Sequence, residues 1–244
     1  MRWPLVCLAV AGCARAGQEN SIIGGLTDAG PRRDATDVPE PDASPIDAPP
    51  QQVTLTQTTS GAIAVGTSFN CHRGSVTREN SYYRVFTLSD HGITGMLHVT
   101  RVDFAIDTAI AGAGQGGQQL ATVKLGTYGG TPDGTTLDGA LVRSLGSADV
   151  RIPDGTGTRV TVPITADVAP TASLIVELLI PDGLAAGNEL LIGTNQQGER
   201  KPGYTRGPSC GVTLPTSMQT VAADNSLDQA DLILTVTGVI ATPE

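Results

Sequence analysis

The chain is poor in aromatic, histidine and basic residues, and it has no apolar run long enough to cross a membrane as a helix. Aromatic residues make up 3% of its 244 positions, and the only tryptophan is Trp3. A core built from such a sequence must be aliphatic, each large buried side chain contributing about 1.5–3 kcal/mol. Lys and Arg number 15 against 24 Asp and Glu, a net charge of −9. That balance excludes a nucleic-acid surface, which needs a basic face, and it gives no polybasic patch for anionic lipid. The apolar stretch Trp3 to Ala11 falls well short of the roughly 20 residues of a membrane span. The P-loop pattern, His-Glu-x-x-His and paired-cysteine zinc spacing are all missing. With only His72, His91 and His98 available, no catalytic signature emerges, and the chain is expected not to be an enzyme. The histidines read as surface or strand-edge residues.

What is present begins at the N-terminus. Val10-Ala11-Gly12-Cys13 follows Arg2 and a short apolar run, and the four residues resemble a bacterial lipobox. Residues 1–12 then read as a lipoprotein signal peptide, to be set aside from fold reasoning. The alternative is an ordinary secretory peptide cleaved after Ala9-Val10-Ala11, leaving Cys13 a free thiol. The resemblance implies that Cys13 becomes a lipidated N-terminus and that the membrane is a partner through the acyl chains. Two or more chains anchor stably where one does not. Ala14 rather than Asp after the cysteine implies, by the same resemblance to Gram-negative lipoproteins, sorting to the outer membrane. Loss of Arg2 would make the mature chain one unit more negative.

Four cysteines are present. Cys7 leaves with the signal and Cys13 takes the lipid, so Cys71 and Cys210 remain. An even remainder in an exported chain reads as one disulfide. The competing metal or redox reading has no Cys-x-x-Cys spacing behind it, and His72 is the only adjacent ligand type.

Residues 13–52 change character. Asp37-Val38-Pro39-Glu40-Pro41-Asp42 and Ile46-Asp47-Ala48-Pro49-Pro50 are typical of a stretch dominated by Pro, Asp and Ala. Such a segment cannot bury enough apolar surface to offset its ordering entropy, and it reads as a disordered tether. About 38 residues span roughly 35 Å as a flexible coil and about 110 Å if extended.

Residues 53–240 read as all-β: a two-sheet, jelly-roll-like sandwich, followed by a short tail at 241–244. Tyr82 to Leu88 is one strand. In Leu97 to Ile110, Val102, Phe104 and Ile106 alternate with Arg101, Asp103 and Asp107. Leu120 to Tyr128 and Arg159 to Thr165 alternate likewise, and Pro163 implies an edge strand or strand end. Leu174 to Ile180 is almost wholly apolar and is expected to be buried on both faces, with Glu177 needing a partner such as Arg84 or Arg206. Leu232 to Ile240 closes the fold. Pro132-Asp133-Gly134, Pro153-Asp154-Gly155 and Pro181-Asp182-Gly183 supply turns, with Gly available for positive φ. The helix signal is confined to a turn or two near Thr220 to Ala230.

Two blocks carry a further resemblance: Asn80 to Phe86 with Ile93-Thr94-Gly95, and Gly187 to Asn195 followed by Pro202 to Gly211. Together they resemble an uncharacterised β-sandwich domain of secreted and surface-anchored bacterial proteins. That resemblance implies no activity, and it implies the same Cys71–Cys210 pairing. The Pro-Asp tether is similar to those of deltaproteobacterial lipoproteins. The expected role is therefore display of a non-enzymatic binding or adhesion module, with an envelope protein or a glycan as partner. The alternatives are a structural envelope subunit or a hydrolase without a recognisable motif. Asn195, Gln196, Tyr204 and Arg206 are the candidate ligand face. No cofactor is expected, although Asp224, Asn225, Asp228 and Asp231 offer the hard oxygen donors that Ca²⁺ prefers.

Overall fold

Among the described residues, short apolar runs separated by turn residues become fifteen strands, one short α-helix and three 3₁₀ turns. The computed structural model describes residues 51–132 and 134–241. The segment read as a signal peptide, Cys13 with its expected lipidation, nearly all of the segment read as a tether and most of the tail lie outside the described residues.

In chain order the strands are β1 Gln51–Thr56, β2 His72–Arg73, β3 Val76–Thr77, β4 Asn80–Thr87, β5 Leu97–Ile110, β6 Gln118–Tyr128, β7 Val142–Pro153, β8 Gly155–Val168, β9 Ser173–Ile180, β10 Glu189–Ile192, β11 Thr194–Asn195, β12 Tyr204–Gly207, β13 Val212–Ser217, β14 Asp231–Leu232 and β15 Leu234–Ile240. The first strand thus starts two residues inside the segment read as tether, because Gln51 pairs with Ile240.

One sheet runs β1-β15-β5-β8, with β10 taking over beside β5 where β15 ends; the other runs β13-β12-β4-β9-β6-β7. Eight strands, β1, β4 to β9 and β15, carry the architecture. Counted along the chain, the first, eighth, third and sixth of them form one sheet, and the second, seventh, fourth and fifth form the other. All pairings are antiparallel, and this is the double Greek key of a jelly roll. Residues 181–233, inserted before the last strand, add β10 to β14 and helix α1 Met218–Asp224. Ser217 caps that helix, its side chain accepting from the Thr220 N–H.

The two inner faces interdigitate. Val102, Phe104 and Ile106 of β5 meet Leu174, Val176 and Leu178 of β9 and Ala121, Val123 and Leu125 of β6 in one aliphatic core. A bulge between Val99 and Arg101 lets Leu97 and Val99 share the inner face with the even-numbered residues that follow. Pro163 sits in β8, which pairs with β5 alone, as its missing N–H demands. Three expectations are corrected. Asp107 is buried, not on the solvent face, its carboxylate accepting the Gly66 N–H at 2.8 Å. Gly155 and Gly183 do not take positive φ. At Gly183 the requirement is steric, since a Cβ would lie 2.9 Å from the Asn188 carbonyl oxygen.

Cys71 and Cys210 are disulfide-bonded, with Cα atoms 5.6 Å apart. The bond ties the segment before β2 to the turn between β12 and β13. Gly207 permits the approach: a Cβ there would fall 2.9 Å from Cys71 Cβ.

A charged pair lies inside the aliphatic layer. Arg84 is fully buried on β4; it meets Glu199 at 2.7 Å and donates to the carbonyls of Lys201 and Leu232. Glu199 in turn accepts from the Gly203 N–H and the Gln219 amide. Burial disfavours charge on both, holding Arg84 below and Glu199 above their ordinary values. The inserted segment is thereby fastened to the core.

Candidate binding groove

The outer face of the second sheet is half covered. Its strands place Tyr83, Glu177 and Lys124 in one row, directly opposed across β4, β9 and β6. Because side chains alternate along a strand, these three point away from the core that Leu174, Val176 and Leu178 fill. Glu177 gathers the row. Its Oε1 accepts from Ser81 Oγ at 2.8 Å and Tyr83 Oη at 3.2 Å, and its Oε2 meets Lys124 Nζ at 3.2 Å. Burial, then the Glu177 charge, pushes the Tyr83 phenol up to about 12, so it stays a donor.

The next row along the strands is apolar: Val85, Ile175 and Gly126. At Gly126 a Cβ would stand 2.8 Å from the Arg143 carbonyl oxygen, so the close approach of β7 needs glycine there. The segment after β6 folds back over this end. Leu137 N–H donates to the Pro215 carbonyl at 2.8 Å, Ser217 N–H to Thr135 at 2.7 Å, and Asp138 N–H to Tyr128 Oη at 3.2 Å. Tyr83, Val85, Tyr128, Leu137, Ile175 and Tyr204 form a second small core beneath it.

Between this cover and the open sheet lies a groove of about 320 Å³, within the range of ligand clefts. Tyr83, Lys124 and Glu177 line its polar end, and Leu137, Val142, Ile175 and Pro215 its apolar wall. Glu177 keeps 21% of its side chain exposed and Lys124 40%, so both are reachable from the groove. The strand read as buried on both faces is therefore partly open on one, at Glu177, and the partner of Glu177 is Lys124, not Arg84 or Arg206. Lys124 carries no sequence signal as a ligand contact beyond its outward parity on β6, which is legible once the pairing with Glu177 is known.

The sequence-predicted ligand residues do not share an open face. Tyr204 is fully buried and donates to the carbonyls of Pro132 and Gly134. Asn195 is buried, its amide donating to Ser60 and its oxygen accepting from Gln197. Arg206 pairs with Glu79 at 2.8 Å, and Gln196 is exposed. The calcium candidates separate too. Asp224, Asn225 and Asp228 are exposed, whereas Asp231 is buried and accepts the Gly198 N–H at 2.7 Å. Among the described residues no three acidic, cysteine or histidine side chains gather into a metal-binding group.

Gly207-Pro208-Ser209-Cys210-Gly211 has the Gly-x-Ser-x-Gly spacing of a nucleophile elbow. An elbow needs a strand-to-helix turn; here the five residues make a 3₁₀ turn between two antiparallel strands, and Cys210 is cross-linked. A cleft of about 340 Å³ adjoins that disulfide, lined by Phe69, His72, Val212, Val221, Asn225 and Leu227 among others. No carboxylate or ammonium group lines it, and the amides of Asn70, Asn80 and Asn225 are spent on Thr77, on the carbonyls of Cys71 and Arg78, and on Val221. The groove at Glu177 is the better-equipped site.

No known family matches the chain in a scan of family models, and no curated protein matches it in a sequence search. Two solved structures are similar in part. A clostridial cysteine protease, Cwp84, after propeptide cleavage, has 9% identity and a TM-score of 0.48 over 78% of this chain. The cysteine protease and lectin-like domains of Cwp84, described as a surface layer associated protein of Clostridium difficile, have 10% identity and a TM-score of 0.43 over 68%. This chain spans 40% and 33% of their lengths.

Proposed function

We propose that this chain is a lipid-anchored cell-envelope protein whose jelly-roll domain is a non-enzymatic binding module, with its ligand held in the groove at Tyr83, Lys124 and Glu177. The observation that carries this reading is the convergence of a carboxylate, an ammonium and a phenol on one end of an otherwise apolar groove. Clefts with a few converging polar groups on an apolar lining are the usual form of a ligand site. The lipobox-like Val10 to Cys13 and the acidic Pro-rich segment that follows support placement at the envelope, with the domain held clear of the membrane.

Binding rather than catalysis fits the residues. Among the described residues Glu177 is the only carboxylate that lines the groove, and no histidine does. Hydrolysis of glycosides by the usual route takes two carboxyl groups, about 5–9.5 Å apart. His98 is engaged elsewhere, with Asp167 at 2.7 Å. A second reading, contact with another envelope protein, draws on Leu141, which ends the 3₁₀ turn before β7, and on Val142 and Leu145 of β7, all exposed.

Co-sedimentation of the full chain with purified envelope fragments tests the site. Wild type should sediment with them, and Ser144→Arg, which crowds the groove from its exposed rim, should stay in the supernatant. Equal sedimentation of the two would remove the groove from the account.

A further inference from the structure

Resting on that reading of the groove, we infer that its ligand is a neutral saccharide, of about one or two pyranose rings at the contact. The charges at the polar end cancel: Lys124 and Glu177 are paired with each other at 3.2 Å. A charged ligand would have to be desolvated against a site with no net charge to receive it, whereas an uncharged polyol meets no such cost. Both hydrogen-bonding senses are on offer. Of the three N–H donors of the Lys124 ammonium, one is turned to Glu177, which leaves two for ligand hydroxyl oxygens. A carboxylate has about four acceptor positions, and Ser81, Tyr83 and Lys124 occupy three at Glu177, which leaves one for a ligand hydroxyl proton. Opposite them, Leu137, Val142, Ile175 and Pro215 present an apolar wall. A sugar ring matches this division, with hydroxyls along its edge and C–H groups on its face. The volume of about 320 Å³ is at the small end of ligand clefts, which suits a short contact and not a long chain threaded through.

Tyr83 is 8% exposed and offers its hydroxyl, not its ring face, so the stacking that tightens many sugar contacts is missing. A single contact is accordingly weak. Display of many copies on a lipid surface raises the overall affinity by about 10²–10⁴ when several sites engage at once.

The test uses the full chain on liposomes, applied to immobilised neutral β-linked glucose and N-acetylglucosamine oligomers, a polyuronate and a polyamine glycan. Retention on at least one neutral surface is expected, unchanged in 0.5 M salt and lowered at least tenfold by Glu177→Gln and by Ser144→Arg. No retention on neutral surfaces, or retention confined to the charged ones, overturns the inference. Envelope fragments sedimented in an excess of the soluble glucose and N-acetylglucosamine oligomers separate this failure from that of the groove. If Ser144→Arg still abolishes sedimentation with such fragments, the groove binds something other than a saccharide. If the substitution never matters on any surface, the groove and the saccharide both fall.

Discussion

Arg84 and Glu199 meet at 2.7 Å with side chains 0% and 1% exposed, an ion pair sealed inside an aliphatic sandwich. Removing one partner leaves the other buried and uncompensated, which costs about 3–5 kcal/mol. Arg84→Met should therefore lower the midpoint of chemical unfolding sharply. The double variant with Glu199→Met should recover part of that loss, because no charge is then stranded. Denaturation curves of the three proteins check this; equal midpoints for the wild type and Arg84→Met would contradict it.

The disulfide carries a second expectation. Cys71 and Cys210 are 139 residues apart in sequence, and cross-linking a loop of that length contributes about 5 kcal/mol at most in the chain-entropy picture. Against a total stability of about 5–15 kcal/mol for a domain, that is a large share. Cys71→Ser/Cys210→Ser should unfold at markedly lower denaturant, and wild type with reductant should follow it. Thiol titration of unreduced, unfolded protein should find neither of these two cysteines free.

Alkaline stability has a sign that follows from burial. The Tyr83 phenol titrates near 10 when unfolded and near 12 in the fold. The folded chain therefore holds a proton that the unfolded chain releases, and stability falls as pH rises from about 10 to about 12, by about 2–3 kcal/mol. Tyr82, wholly buried, is raised as well and adds to the loss. Tyr83→Phe should flatten part of the decline measured by urea unfolding at pH 9 and pH 11. A wild type equally stable at both would contradict the assignment.

Anchoring is tested separately from the fold. Labelled palmitate should be incorporated into wild type and the protein should partition with membranes, while Cys13→Ala should be unlabelled and soluble. Label retained in Cys13→Ala would refute lipidation at that residue.

The strands that were legible are those with one buried face. Val102, Phe104 and Ile106, or Val160 and Val162, repeat at the period of a half-buried sheet. Strand β7 shows that period only in its second half, at Ala148, Val150 and Ile152; its first half, with Ser144 and Ser147, is mostly exposed and carries none. Local sequence also misleads where burial comes from distant chain. Tyr204, among Gly and Pro, reads as an open loop aromatic, yet the turn at Pro132 and Gly134 closes over its hydroxyl. Glu177 sits in an apolar run that reads as buried on both sides. What leaves its outer face open is how far the segment after β6 and the strand β13 reach, a long-range fact that no local period encodes.

The most direct measurement is a backbone NMR titration of the protein with a neutral oligosaccharide. The account predicts shifts confined to the groove: Tyr83, Lys124 to Gly126, Leu137 to Ser144, and Ile175 to Glu177. Shifts centred instead on Phe69 to His72 and Val221 to Leu227, beside the disulfide, or none at saturating sugar, would contradict it.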